Sequence, residues 1–303
     1  MKCRLMLPVP VVLAAIIMTA CSGAPASGPA PAPAPAPVQV EPVTGKTVFI
    51  PGTGHEIPAA LFMPDGASAE RPVPVVITIV GTGSDKESYD NLARYLNTAG
   101  IACVNFDVVG TGESKGDYID YSFDSAVSDT NAVTAWAATS KGIDPDRIGL
   151  LGWSQGGTLA ILAAKNNPVC KAVGLWAASL DLSLLITPEM RSEAAATGKT
   201  LLDLGFRPPL NLAKKWIDEV DNTDVLAAVP LIPAPIYVLA GSADETVPPQ
   251  NSRDIAAAAK NGASRLEIID GFDHTFGAFS GDLTNFNVVC EKTAGWFAET
   301  LKK

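Results

Sequence analysis

A serine hydroxyl is a weak nucleophile near neutral pH and becomes a useful one only beside a base that removes its proton. The stretch Gly152-Trp153-Ser154-Gln155-Gly156-Gly157 offers such a serine in a particular setting. The apolar run Arg147-Ile148-Gly149-Leu150-Leu151 precedes it, and a run of helical character, Thr158 to Ala164, follows. Where G-x-S-x-G joins a strand to a helix the chain reverses sharply, so the residues two before and two after the serine must be small. Gly152 and Gly156 meet that need. Ser154 is then expected at the top of a strand and at the positive end of a helix, where a developing oxyanion is stabilised.

The chain has two histidines, which excludes a multi-histidine metal centre and narrows the base to His55 or His274. His55 falls far ahead of the serine in chain order and reads as a surface turn residue. His274, in Gly271-Phe272-Asp273-His274-Thr275-Phe276, follows the last strand-like run and precedes the last helical one, which puts it on the sheet edge that carries Ser154. An imidazole base needs an acid to fix its tautomer. Asp244, in Gly241-Ser242-Ala243-Asp244-Glu245-Thr246-Val247-Pro248, is the leading candidate, and Glu245, Asp181 and Asp273 are its rivals. Two backbone donors must hold the oxyanion. Gln155 supplies one, and Thr82, in Val80-Gly81-Thr82-Gly83-Ser84, is the candidate for the other.

These residues need a scaffold that gathers loops on one edge. From Lys46 onward strand-length apolar runs alternate with helical ones. Strands are predicted over Thr47 to Ile50, Ala59 to Met63, Pro74 to Val80, Ile101 to Asp107, Arg147 to Trp153, Ala172 to Ala177, Pro235 to Ala240 and Arg265 to Ile269. Helices are predicted over Ser88 to Thr98, Phe123 to Ala138, Gln155 to Asn166, Gln250 to Lys260 and Asn285 to Leu301. Runs such as Val75-Val76-Ile77-Thr78-Ile79-Val80 lack a polar face, which suits parallel strands covered on both sides by helices. The first two strands have no helix between them, only Pro51-Gly52-Thr53-Gly54, so an antiparallel hairpin is expected at the sheet edge.

From Leu180 to Ala228 the alternation breaks, and a helix is predicted there over Leu212 to Val220. A segment of that length is too long for an ordinary connection and suggests a small cap over the carboxyl ends of the strands. Leu184, Leu185, Phe206, Leu210 and Trp216 either line an apolar pocket or pack the cap down.

The 303 residues carry 22 Lys+Arg and 32 Asp+Glu, a formal net charge of −10 with no basic stripe, which argues against nucleic acid as a partner. Apolar residues make up 47% and charged residues 18%, enough for a sizeable core. Lys2 and Arg4 precede an apolar run from Leu5 to Met18, an export-signal pattern. The run is shorter than the roughly 20 residues of a spanning helix. Ala24 to Pro37 is a Pro/Ala spacer that cannot sustain helical hydrogen bonds. Among the cysteines, Cys103 reads as a buried small hydrophobe, and a bridge between Cys170 and Cys290 is left open.

Two resemblances follow from these motifs. Met18-Thr19-Ala20-Cys21 resembles the lipobox of bacterial lipoproteins. That implies cleavage after residue 20, lipid on Cys21, a tether over residues 21–42, and a bacterial cell-envelope location, with Ser22 leaning towards the outer membrane. From Lys46 to Lys303 the chain resembles the α/β-hydrolase superfamily. Within it, the chain looks like the branch of cinnamoyl and feruloyl esterases and serine aminopeptidase-like hydrolases. The likeness rests on Asn105-Phe106-Asp107-Val108-Val109-Gly110-Thr111-Gly112-Glu113-Ser114, on Gly152 to Gly157, on Gly241 to Pro248 and on Gly271 to Phe276.

This resemblance implies a mainly parallel eight-stranded sheet with helices on both faces and a small cap. It also implies a Ser154, Asp244, His274 triad acting on a small-molecule ester, with no metal or organic cofactor. The alternatives are a peptidase whose cap carboxylates, Glu189, Glu193 or Glu219, hold a substrate amine, and a non-catalytic envelope lipoprotein. Where that branch has His-Gly after the third strand this chain has Val80-Gly81, so the hydrogen bonds that steady the oxyanion loop must come from elsewhere. Val109 likewise stands where a polar residue is common in the branch.

Overall fold

Val75, Val76, Ile77, Thr78 and Ile79 are all fully buried, as a strand without a polar face requires. The structure is a computed structural model and describes residues 43–302; the export signal, Cys21 and the Pro/Ala spacer lie outside the described residues. In chain order the elements begin β1 (Lys46–Pro51), β2 (Glu56–Phe62), β3 (Val73–Ile79), α1 (Asp90–Thr98), β4 (Ala102–Phe106), α2 (Phe123–Thr139), β5 (Ile143–Trp153), α3 (Gln155–Ala164) and β6 (Cys170–Trp176). They continue with α4 (Pro188–Thr197), β7 (Lys199–Leu202), β8 (Leu210–Ala213), α5 (Lys214–Asn222) and α6 (Val225–Ala228). The chain then closes with β9 (Ile236–Gly241), α7 (Pro249–Ala258), β10 (Arg265–Ile269) and α8 (Thr284–Thr300).

Eight strands form one sheet in the order β1-β2-β4-β3-β5-β6-β9-β10. Neighbours from β4 to β10 run parallel, while β2 is antiparallel to both β1 and β4. The expected edge hairpin is present, with Ile50 opposite Ile57 and its turn closed by Gly52 N–H donating to His55 O at 2.9 Å. Because crossovers are right-handed, the reversal of strand order about β3 puts helices on both faces. α1 packs on α8, and α2 packs on α3. The same reversal opens a crevice between the carboxyl ends of β3 and β5, the place where open parallel sheets bind ligands.

Caps fix the helix that starts beside the crevice. Ser122 and Ser125 form a reciprocal capping box at the start of α2. In the insertion, α4 starts on Thr187 with Pro188 in its first turn and ends on Gly198 in the left-handed conformation.

The insertion departs from the expected helix over Leu212 to Val220. Leu212 and Ala213 belong to β8, which pairs antiparallel with β7, and α5 starts only at Lys214. Leu210 and Leu212 are buried while Asn211 and Ala213 are less so, a period of two that pairs with buried Thr200 and Leu202. The insertion touches the loops after β3 and β4: Phe123 N–H donates to Glu219, and Arg207 donates to Gly83 O. The five apolar insertion residues divide. Trp216 is fully buried edge-on against Phe123 and Leu210 is buried, Leu185 is half-buried against the core, and Leu184 and Phe206 are 83% and 74% exposed.

Cys170 and Cys290 do not pair. Cys103, Cys170 and Cys290 are free and buried. Cys170 Sγ contacts Ala172 O at 3.3 Å, and Cys290 Sγ accepts from Asn91 Nδ2 at 3.6 Å. Burial pushes the Cys170 thiol up to about 12 and the other two above their ordinary value.

Candidate active site

At the end of β5 the chain turns through Ser154 into α3 with φ 58° and ψ −123°, a left-handed backbone that a residue with a Cβ holds only under strain. The two flanking glycines permit the turn. A Cβ on Gly152 would lie 2.0 Å from Gly156 O, and one on Gly156 would lie 2.0 Å from Ile79 O. Ser154 N–H donates to Trp176 O at 2.8 Å, which anchors the turn to β6. The serine therefore stands half-buried at the amino end of a ten-residue helix, where the helix dipole favours negative charge.

Asp244 follows β9 and His274 follows β10, and the structure brings them together: His274 Nδ1 lies 2.9 Å from Asp244 Oδ2. The Asp244 side chain is fully buried, and its Oδ1 accepts the amides of Thr246 at 2.9 Å and Val247 at 2.8 Å. The carboxylate is thereby fixed at three points. With Nδ1 held, Nε2 is the imidazole nitrogen that can accept a proton. The rival acids serve elsewhere. Asp273 Oδ1 accepts from Thr275 and Gly277 within its own turn, Asp181 Oδ1 accepts Ser183 N–H, and Glu245 is exposed.

The His274 loop is tied to β5 by a contact the sequence did not announce. Trp153 Nε1 donates to His274 O at 3.0 Å, and the Trp153 ring packs among Trp176, Phe276, Phe279 and Phe286 with centroids 5.8–6.1 Å away. Phe279 is 71% exposed and stacks on Trp153 nearly parallel, at 7°.

Thr82 and Gln155 meet through their side chains as well. Thr82 Oγ1 donates to Gln155 Oε1 at 2.7 Å, across 73 residues of sequence. Gln155 is fully buried, and its Nε2 has no partner among the described residues. This bond joins the two residues whose amides are the candidate oxyanion donors, and it supplies a fixture in the place where Val80 cannot. Thr82→Val removes one hydrogen bond of about 1 kcal/mol. Its expected effect is a loss of stability of about that size, with Thr82→Ser retaining most of it. The midpoints of the two variants in urea unfolding check this.

Next to the oxyanion loop lies an ion cluster. Lys86 Nζ is 2.8 Å from Asp107 Oδ2, 2.8 Å from Glu113 Oε2 and 3.0 Å from Glu87 Oε1. Asp107 is fully buried and also accepts the amides of Lys86 at 2.9 Å and Glu113 at 3.0 Å. It thus clamps the loop after β3 to the loop after β4.

His55 is not a plain surface turn residue. Its ring bridges the hairpin to α2, with Nε2 3.2 Å from Asp129 Oδ2 and Nδ1 3.3 Å from Thr53 O, and its side chain is 18% exposed. Burial pushes the Asp129 carboxyl above its ordinary value, and the neighbouring imidazole opposes that shift. In sheet order β4 and β3 stand between this hairpin and β5, so His55 belongs to a different cluster from Ser154.

Residues 53–188 match the sequence profile of the X-Pro dipeptidyl-peptidase (S15) family. An uncharacterized protein, YfhR, of Salmonella typhimurium is 26% identical over 77% of this chain and 73% of its own length. The 2,6-dihydropseudooxynicotine hydrolase of Paenarthrobacter nicotinovorans is 29% identical over 63% of this chain and 49% of its own length. Among solved structures, Est1E of Butyrivibrio proteoclasticus with bound ferulic acid superposes with a TM-score of 0.69 at 22% identity, covering 84% of this chain and all of that one. The α/β hydrolase GrgF of a Penicillium species superposes at 0.72 with 16% identity, covering 84% of this chain and 98% of that one.

Proposed function

We propose, from the premise that the chain has the α/β-hydrolase fold, that it is a serine hydrolase cleaving carboxylic esters through an acyl-enzyme on Ser154. The observation that carries this reading is the 2.9 Å contact of His274 Nδ1 with a buried, triply held Asp244, on the sheet edge where Ser154 is presented in a strained turn. Ser154 Oγ attacks the ester carbonyl carbon while His274 Nε2 takes its proton. The amides of Gln155 and Thr82 hold the oxyanion, and Asp244 stabilises the imidazolium. When the carbonyl re-forms, the ester bond breaks and His274 returns the proton to the leaving alcohol. Water then enters, gives a proton to His274 and attacks the acyl-enzyme, and Ser154 leaves with that proton as the acid departs.

The match to the S15 family favours a second reading, a peptidase acting near a peptide amino end. Such an enzyme needs a carboxylate to anchor the substrate amine. Two of the insertion's candidate carboxylates are already engaged: Glu193 accepts from Thr200 at 2.7 Å, and Glu219 accepts the amide of Phe123. Glu189, exposed at the start of α4, is held by hydrogen bonds from Thr187 and from its own amide, so none of the three stands as a dedicated amine anchor and the ester reading leads.

Hydrolysis of p-nitrophenyl acyl esters and aminoacyl anilides by the purified protein and by Ser154→Ala separates the readings. Ester turnover that drops at least about 10⁴-fold in the variant is the expected result. Turnover of anilides alone would favour the peptidase, and inertness towards both would favour the non-catalytic lipoprotein.

The same proposal places the protein in the bacterial cell envelope, held by lipid on Cys21. Metabolic labelling with a clickable fatty acid is expected to mark the wild-type chain and not Cys21→Ser. Equal labelling of both would overturn the anchor.

A further inference from the structure

Residues 203–209, between β7 and β8, come down onto the oxyanion loop. A Cβ on Gly83 would lie 2.9 Å from Arg207 Cδ, 3.0 Å from Arg207 Nη1 and 3.1 Å from Leu204 Cδ1. Arg207 Nη1 donates to Gly83 O. Two residues earlier, Gly81 rests on the nucleophile, and a Cβ there would lie 3.5 Å from Ser154 Cβ. Two residues of chain span at most about 7 Å, so Arg207 and Ser154 pack on neighbouring positions of the same loop.

The charge on that guanidinium has no carboxylate counterpart. Arg147, Arg191 and Arg265 each meet a carboxylate, whereas among the described residues none lies within ion-pair distance of Arg207, or of Arg71, Arg94 and Arg253. Arg207 is half-buried, and its Nε is wholly shielded with no acceptor. In a chain with ten more acidic than basic residues, a half-buried cation without a carboxylate, seated on the loop that adjoins Ser154, is free to take an anionic ligand. The Gly83 carbonyl occupies one donor of a five-donor fork, and the rest of the fork suits a carboxylate accepting two parallel hydrogen bonds.

We propose that Arg207 anchors an anionic group of the substrate, so that the preferred substrates are esters whose acyl part ends in a carboxylate. The inference rests on the reading of Ser154 as the nucleophile.

The test compares mono-p-nitrophenyl glutarate, which is anionic, with p-nitrophenyl butyrate, which is neutral, on the purified protein and on Arg207→Gln and Arg207→Lys. The ratio of kcat/KM for the anionic over the neutral ester is expected to fall at least about tenfold in Arg207→Gln, mostly through KM, and to recover in part in Arg207→Lys. In the wild type, 0.5 M NaCl is expected to lower the same ratio, which keeps the test usable if a variant does not fold. Equal losses on both esters would mean that Arg207 only pins the insertion to Gly83, and a ratio indifferent to salt and to both substitutions would overturn the anchor.

A binding measurement separates this inference from the hydrolytic reading. Monomethyl glutarate, titrated calorimetrically into Ser154→Ala, is expected to bind at least about tenfold more tightly than into Ser154→Ala/Arg207→Gln. That result would support the anchor even if no ester were turned over. Absence of any difference would overturn it even if esters were.

Discussion

Asp244→Asn is expected to lower kcat on a p-nitrophenyl ester by about 10⁴-fold while leaving KM within a few-fold. The size follows from how the carboxylate is held. Its Oδ1 accepts the amides of Thr246 and Val247, and its Oδ2 faces His274 Nδ1. An asparagine must keep its oxygen towards the two amides, because its NH₂ cannot accept from them. The NH₂ is then turned to His274 and donates to Nδ1. That forces the ring proton onto Nε2, the nitrogen that takes the proton of Ser154 in the proposed mechanism. Geometry survives and the base is lost. Steady-state kinetics with active-site titration checks it, and a loss smaller than about tenfold would move the orienting role to another acid.

Lys86→Met is expected to destabilise the protein by about 3–5 kcal/mol, read as a lowered midpoint in guanidinium unfolding. Asp107 is fully buried, and its charge is balanced by the Lys86 ammonium at 2.8 Å. Methionine fills similar space and leaves that carboxylate uncompensated. Burial alone would lower the Lys86 pKa, yet its hydrogen bonds to Asp107, Glu113 and Glu87 hold it above the ordinary lysine value. A raised lysine contributes stability that is fully present below its unfolded value of about 10.4 and is lost as pH rises through the folded one. The difference between wild type and variant should therefore be flat from neutral pH to about 10 and narrow only above that. A difference of less than about 1 kcal/mol at neutral pH would mean that Asp107 finds another partner.

The residues that a single local constraint dictates were legible in the sequence. Gly152 and Gly156 are demanded by backbone atoms 2.0 Å from where their side chains would be, so the turn around Ser154 could be read from spacing alone. Strands such as β3 and β9 declared themselves because burial on both faces leaves no room for polar residues. What the sequence hid were side-chain meetings between distant segments. Thr82 with Gln155, Trp153 with His274 and His55 with Asp129 lie 73, 121 and 74 residues apart, and no local pattern announces any of them. In the insertion, Pro208-Pro209 before Leu210 masked a four-residue strand whose period of two is too short to be distinguished from the helix that follows.

The three buried thiols bear on how the chain would reach this structure under the proposed envelope location. Cys103, Cys170 and Cys290 are at most 2% exposed, and burial keeps each protonated and unreactive once the sheet has closed. Before that, the proposed location would leave the same thiols open to the oxidants of an extracytoplasmic compartment. The strand order β4-β3-β5 joins segments far apart in sequence, a slow kind of assembly. On the proposed envelope location, folding would set sheet closure in competition with thiol oxidation.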